Sequence, residues 1–299
     1  MTERVEAVAS PAPGAIRVRR FSFAWLGVVP FFLFAILFLI APTLLLMVGA
    51  FQDSTGAFTL RNLGDLFTPS ILSSYWISIE VSAASSIGGA IAGFFLAYAV
   101  VVGRLPRWLR PTLMTFSGVA SNFAGLPLAF AFIATLGPTG LVTVIFRDYL
   151  DFNLYSTGFK LLSFWGLTLT YLYFQIPLMI LILAPALDGL KREWREASEI
   201  LGASHWQYWR RVALPILWPS ILGSTLLLFA NSFGAIATAY GLTGSSLNII
   251  TIQLYAQIRG DVLHNPNLGY ALALGMILIT GLSSGAYIWL RARGERWLR

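Results

Sequence analysis

The side chains that most enzymes use for catalysis are scarce in this sequence of 299 residues. Cysteine is absent, which excludes thiolate nucleophiles, disulfides and cysteine-ligated zinc or iron–sulfur centres. His205 and His264 are the two histidines, too few for a multi-histidine metal site. The two lysines, Lys160 and Lys191, do not follow glycines, so the chain lacks the glycine-rich loop that binds ATP phosphates. The sequence therefore predicts no catalytic residue, no metal site and no cofactor bound by this chain.

One charged segment, residues 188–211, differs from the apolar remainder of the chain. Asp188 is expected to cap a first helix, Gly202 to form a sharp turn, and a second short helix to lead to Leu214 and Pro215. Such an amphipathic segment can lie on lipid headgroups or bind a partner, and the pattern alone leaves both open. The expected apolar side of the first helix consists of Trp194, Ala197, Ile200 and Leu201, with Glu193, Glu196 and Glu199 on its other sides.

The composition indicates that the charged segment connects membrane-spanning helices. The chain is 57% hydrophobic and 11% charged, whereas soluble domains average about 45–50% apolar and about 25% charged residues. A break is expected at Gly137–Gly140, and residues 249–258 are expected to dip back toward the membrane or cover a cavity. An all-α membrane protein is predicted, because six segments reach the roughly 20 apolar residues that a span requires: 25–50, 79–103, 112–136, 161–187, 214–240 and 268–290.

The distribution of basic residues predicts the orientation of the spans. If both termini are cytoplasmic, sixteen of the twenty Lys and Arg residues fall on the inside, as the positive-inside rule expects. The net charge of +7 then reflects topology and an affinity for anionic lipid rather than nucleic acid. Residues 1–20 are predicted to form a cytoplasmic tail, and residues 21–299 the six-helix domain.

The charged segment also carries a spaced motif. Glu196-Ala197-Ser198 is followed by Gly202 and then by Val212-Ala213-Leu214-Pro215. This pattern resembles the E-A-A…G…I-x-L-P loop in the membrane subunits, or permeases, of type I binding-protein-dependent ATP-binding-cassette importers. Ser198 stands in place of the second alanine of that motif, and Val212 in place of its isoleucine.

The resemblance implies a fold and a set of partners. In such permeases the loop forms a coupling helix that binds a groove of a separate ATPase. Glu196 would face basic groups there, Ala197 and Ser198 would permit close approach, Gly202 would form the turn, and Leu214-Pro215 would open the next span. Two ATPase subunits, which bind ATP and Mg, a second permease and an external solute-binding protein are implied, in the inner membrane of a bacterium.

Polar residues within spans are candidates for the translocation path, because they are costly in lipid. Helix–helix hydrogen bonds are the competing explanation. Glu80 is expected at the outer edge of span two, and no carboxylate is expected deep in a span. Gly89 with Gly93, and Gly281 with Gly285, predict two sites of close helix packing. The four candidates for the path are Asn122, Gln175, Asn231 and Ser232.

Two other classes of protein remain as alternatives. An ion-coupled secondary transporter usually needs an intramembrane acid or a broken-helix ion site. An intramembrane enzyme is disfavoured, because the sequence has no cysteine, no paired membrane aspartates and no histidine cluster. Within the importers, the stretches 58–63 and 234–241 are similar to permeases for polyamines, iron(III) and aminoethylphosphonate. Aminoethylphosphonate or another organic amine is the first expectation for the substrate, and iron(III) a later one.

Overall fold

A computed structural model describes residues 27–103, 105–106, 108–259 and 265–295. The predicted tail at residues 1–20 and His264 lie outside these ranges. The regular structure of the described residues is helical, with a β-bridge between Gln52 and Phe58. The helices, in chain order, are α1 (Val29–Gly49), α2 (Arg61–Asp65), α3 (Pro69–Val101), α4 (Leu109–Asn122), α5 (Leu126–Leu136), α6 (Leu141–Tyr149), α7 (Phe164–Asp188), α8 (Arg192–Ile200), α9 (His205–Phe233), α10 (Ile236–Thr243), α11 (Ile250–Arg259) and α12 (Pro266–Glu295).

Six helical segments of the described chain are long and apolar enough to cross a membrane, so the predicted all-α class is confirmed. Five of them are α1, α3, α7, α9 and α12. The sixth, Leu126–Tyr149, contains α5 and α6. Span two begins at Pro69, ten residues before its predicted start, because Pro69 supplies a preset first turn after the extended Thr68.

The first span divides between two compact units, because residues up to Leu45 belong to one and the chain from Leu46 onward forms the second. From Val29 to Leu45 no residue is buried. Its helix widens into a π-type turn at Ile36–Ile40, just before Pro42. Proline lacks the amide hydrogen that an α-helix needs at that point, which accounts for the local widening.

Two predicted spans are interrupted, and their predicted bounds are wrong. Residues 112–136 divide into α4 and α5 at Phe123–Gly125, where Gly125 adopts a φ of +79° and its amide donates to Thr238 Oγ1 at 2.7 Å. Residues 214–240 divide at Gly234, and the Ala235 carbonyl accepts a hydrogen bond from the Tyr171 hydroxyl at 2.8 Å. Side chains of other helices therefore satisfy backbone groups that the breaks release, as a membrane interior requires.

The second unit packs around α3, α7, α9 and α12. Gly89 and Gly93 lie where α3 meets α7, and a Cβ on Gly93 would come within 2.5 Å of Met179 Cβ. The first predicted site of close packing is therefore confirmed. The second is wrong within the described chain, because nothing lies within 4 Å of a Cβ placed on Gly281 or Gly285.

The segment expected to dip back toward the membrane or cover a cavity, residues 249–258, lies almost entirely in the helix Ile250–Arg259. Its first amide, that of Ile250, donates to Ser78 Oγ of α3 at 2.8 Å. The helix α11 also packs against α12 and α10. This anchoring places α11 beside the break between α9 and α10, next to the buried hydroxyl of Ser232.

Candidate functional site: the α8 loop and the broken helices

We call the charged segment, residues 188–211, the α8 loop. The sequence predicts a helix that begins at Asp188, but α7 ends there. Asp188 does not cap α8, because it is the last residue of α7 and its Oδ2 accepts a bond of 2.6 Å from Arg110 Nη2. The N-cap of α8 is Lys191, in extended conformation and without a side-chain cap. The ion pair ties the end of the fourth span to α4, and both of its side chains are half-exposed.

The inward side of α8 is narrower than the sequence suggests. Ser198 is buried and Trp194, one turn earlier, is partly buried. Ile200 is 85% exposed and Leu201 is 86% exposed. The expectation that Trp194, Ile200 and Leu201 share one side is therefore wrong. We call the exposed side formed by Glu196, Ala197, Ile200 and Leu201 the outward face.

Two ion pairs run along α8 at a spacing of four residues. Arg192 Nε lies 3.0 Å from Glu196 Oε1, and Arg195 Nε lies 2.9 Å from Glu199 Oε1. Surface pairs of this kind contribute about 0.3–0.5 kcal/mol each. Because the arginine that holds Glu196 is itself exposed, the Glu196 carboxylate is available to a partner that offers a better-placed cation.

Gly202 ends α8 in the left-handed region, with a φ of +76°. Nothing lies within 4 Å of a Cβ added there, so backbone strain rather than crowding would oppose a side chain. The next helix starts with a capping box, in which Ser204 Oγ accepts from the Gln207 amide while Gln207 Oε1 accepts from the Ser204 amide. The Ser-x-x-Gln spacing could have revealed this cap from the sequence alone.

The start of α9 carries the loop into the membrane domain. A π-type turn, Trp209–Ala213, precedes Leu214 and Pro215, and Trp209 packs edge-on against Tyr98 of α3 with ring centroids 4.9 Å apart. Ala213 is fully buried, whereas Leu214 is partly buried and Pro215 is exposed. The loop is thus joined by side-chain packing to the second span as well as by the chain to the fifth.

The four polar candidates separate into two pairs. Gln175 is fully buried, and its Nε2 donates to the Leu228 carbonyl of α9 at 3.0 Å. Ser232 is buried as well, and its hydroxyl lies 3.5 Å from the Ser82 carbonyl of α3. These two side chains join helices. Asn122 and Asn231 are both exposed.

Each exposed amide lies at the end of a helix that breaks. Asn122 is the last residue of α4 and donates to the Gly118 carbonyl at 2.8 Å. Asn231 lies three residues before Gly234. The first break contacts α10, the helix that follows the second break, because the Gly125 amide donates to Thr238. Glu80 lies in the interior of α3 rather than at its edge, and it is exposed.

The comparison with protein families decides the assignment. Residues 89–296 match the family described as "Binding-protein-dependent transport system inner membrane component". The chain belongs to this family. The matched residues include the α8 loop and all four polar candidates, so the motif and the broken helices lie within the family's shared region.

Named relatives of this permease are about a quarter identical to it over the aligned residues. The spermidine/putrescine transport system permease protein PotB of Haemophilus influenzae is 23% identical, covering 84% of this chain and 88% of that one. The molybdenum transport system permease protein ModB of Mycobacterium tuberculosis is 26% identical, covering 72% and 78%. The sulfate transport system permease protein CysT of Escherichia coli is 25% identical, covering 64% and 67%.

A solved structure supports the fold. A chain of a bacterial ABC transporter that imports the acidic polysaccharide alginate matches with a TM-score of 0.65 at 15% identity, over 91% of this permease and 95% of that chain. The chain is a multi-pass membrane protein and a transport subunit rather than an enzyme, because its relatives are named as transport-system permeases. It is an ABC importer permease, so the resemblance drawn from the α8 loop is confirmed.

Proposed function

We propose that this permease uses the outward face of α8 to bind a separate ATPase and to receive its motion. The observation that carries the proposal is the 85% and 86% exposure of Ile200 and Leu201 beside the Glu196 carboxylate. A partner that covers two such exposed aliphatic side chains gains binding free energy of about 25 cal/mol per Å² of apolar surface removed from water. Ala197 leaves room for close approach, and Glu196 offers a charge to a basic partner.

The proposal includes an assembly and an orientation. Two ATPase subunits bind ATP and Mg, a second permease completes the pair, and an external solute-binding protein delivers the solute. Both termini lie in the cytoplasm of a bacterium, since the basic residues concentrate on that side. The partnership with a binding protein is supported by the family to which the chain belongs, whose members are described as binding-protein-dependent.

The proposed translocation path passes the two helix breaks, where Asn122 and Asn231 are exposed. Gln175 and Ser232 support the path by holding α7, α9 and α3 together. The proposed substrate is a small organic amine such as aminoethylphosphonate or a polyamine. The PotB relative supports this class, while the molybdenum and sulfate relatives define the competing class, small oxyanions. Competition of both classes for uptake in reconstituted vesicles distinguishes them.

The coupling proposal is tested by charge reversal on α8. Glu196→Lys is expected to lower co-purification of the ATPase by tens-fold or more, because disrupting a charged pair at an interface costs about 2–5 kcal/mol. Glu199→Lys is the matched control, since Glu199 is also exposed and paired one turn along the helix. Equal co-purification of Glu196→Lys and wild type would contradict the proposal. The purified permease without ATPase should not hydrolyse ATP.

The ion-coupled alternative gives a different result. A secondary transporter would accumulate solute in vesicles under an ion gradient without any ATPase. The proposed importer accumulates solute only with ATP and the ATPase present. Uptake driven by a sodium or proton gradient alone would favour the alternative.

A further inference from the structure

A cavity of about 400 Å³ lies within the second unit, between α7, α9 and α12. This volume falls within the range of about 300–1,000 Å³ typical of small-ligand sites. Neither the coupling contact nor the two helix breaks use this cavity. Its principal lining residues are Leu181, Ile182, Ser220, Ser224, Tyr287 and Arg291.

The cavity has a polar lining on α9 and α12 and an apolar lining on α7. Arg291 Nη1 donates to the Tyr287 hydroxyl at 3.3 Å, and Tyr287 packs over Gly223, where a Cβ would lie 3.1 Å from its ring. Leu181 and Ile182 provide the apolar wall. Pro185, also in the lining, has no amide hydrogen to donate to the Leu181 carbonyl, which adds an acceptor at the wall.

Arg291 lies close to one end of its span, which places it near the membrane surface. It lies two residues before the end of the sixth span, Pro266–Arg293, where Tyr and Arg side chains commonly meet headgroups. Guanidinium groups bind phosphate oxygens through geometrically matched hydrogen bonds. Arg291 and Tyr287 suit an anionic group, and the aliphatic wall beside them suits a hydrocarbon chain. The lining is therefore complementary to a molecule that carries both.

The two kinds of lining, polar at Arg291 and Tyr287 and apolar at Leu181 and Ile182, identify the occupant. We propose that the cavity binds one anionic phospholipid, with its phosphate against Arg291 and Tyr287 and the start of an acyl chain along Leu181 and Ile182. This inference does not depend on the coupling proposal.

The experiment counts lipids retained by the full permease. The protein is equilibrated with an equal mixture of phosphatidylglycerol and phosphatidylethanolamine, and bound lipids are identified by native mass spectrometry. Wild type should retain phosphatidylglycerol preferentially. Arg291→Gln should lower that retention at least fivefold. Arg293→Gln is the matched control, because Arg293 lies over the Trp289 ring, 5.3 Å from its centroid, and does not line the cavity.

A second variant separates site binding from a general effect of charge. Ser220→Leu fills the cavity while leaving Arg291 in place, and it should also lower phosphatidylglycerol retention. Melting curves verify that the variants are folded. Equal losses in Arg291→Gln and Arg293→Gln, or full retention in Ser220→Leu, would overturn the proposal. So would displacement of the lipid by millimolar inorganic phosphate, which would show an anion site rather than a lipid site.

Discussion

The α3–α7 contact and the outward face of α8 show two different uses of small and apolar residues. At Gly89 and Gly93 the backbones approach so closely that an added Cβ would lie 2.8 Å from Gln175 Cβ and 2.5 Å from Met179 Cβ. On α8, Ile200 and Leu201 extend away from the chain with hardly any cover. The first region is completed by the chain itself, whereas the second is the exposed face proposed to bind another subunit.

Under the coupling proposal, this difference separates the rigid part of the chain from the part that binds a partner. The membrane helices that must hold a path are packed by internal contacts. The segment proposed to bind the ATPase is attached through a left-handed glycine, a capping box and the Trp209–Tyr98 contact. Substitutions in the two regions should therefore affect different measurements, stability in the first and coupling in the second.

The largest expected effect lies in the α3–α7 contact. Gly93→Leu should lower the melting temperature strongly and reduce the yield of folded protein, because overpacking a tight contact costs about 1–3 kcal/mol or more. The matched control is Gly281→Leu, at the other G-x-x-x-G step, where the space is open. Thermal unfolding in detergent compares them. Equal destabilisation by the two variants would mean that α3 and α7 do not meet as described.

The next effect concerns the turn after α8. Gly202→Val should uncouple ATP hydrolysis from uptake while leaving the melting temperature near that of wild type, since a β-branched residue at positive φ is strained. Gly202→Asn should be milder, because asparagine tolerates the left-handed region. Substrate-stimulated ATPase and uptake are measured together in liposomes. Wild-type coupling in the valine variant would remove Gly202 from the mechanism.

A smaller effect distinguishes the exposed amide from the buried one. Asn231→Leu should reduce uptake without lowering the melting temperature, since Asn231 is exposed near the break. Gln175→Leu should lower stability by about 0.6–2 kcal/mol, because it removes the hydrogen bond to the Leu228 carbonyl. Uptake and unfolding are recorded for both variants. Unchanged uptake in Asn231→Leu would exclude Asn231 from the path.

The smallest effect is a pH dependence in the loop after α1. Hydrogen bonds from the Thr55 hydroxyl and amide lower the pKa of Asp53. A carboxyl group whose pKa is lowered by folding stabilises the folded state at pH values above its ordinary pKa, about 3.9. That stabilisation is lost as the pH falls through the pKa of the folded state. Asp53→Asn should therefore be slightly less stable to heat than wild type at neutral pH, and the two proteins should become equally stable in acid. A difference in thermal stability that grows on acidification would contradict this account.

The sequence was sufficient for the number and type of spans, because long apolar segments have few alternatives in a membrane. It was insufficient for contacts between distant residues. The break at Gly125 depends on Thr238, 113 residues away, and the role of Asp188 depends on Arg110, 78 residues away. Neither partner is visible in a local pattern.

The two glycine pairs make the same point. Gly89 with Gly93 and Gly281 with Gly285 have the same spacing, yet only the first meets another helix within the described chain. The side chain opposite each glycine decides the outcome. On α8, likewise, local periodicity grouped Trp194 with Ile200, whereas burial placed Trp194 and Ser198 inward. The coupling motif itself was readable because its residues are close in sequence.

The central claim, that the outward face of α8 binds the ATPase, is tested most directly by thiol protection. The chain contains no cysteine, so Ile200→Cys introduces a single reporter on a position that is 85% exposed. A maleimide should label this cysteine rapidly in the permease alone and far more slowly in the complex with its ATPase. An Ile258→Cys reporter on α11, also exposed, should be labelled equally in both. Labelling of Ile200→Cys at the same rate with and without the ATPase would contradict the account.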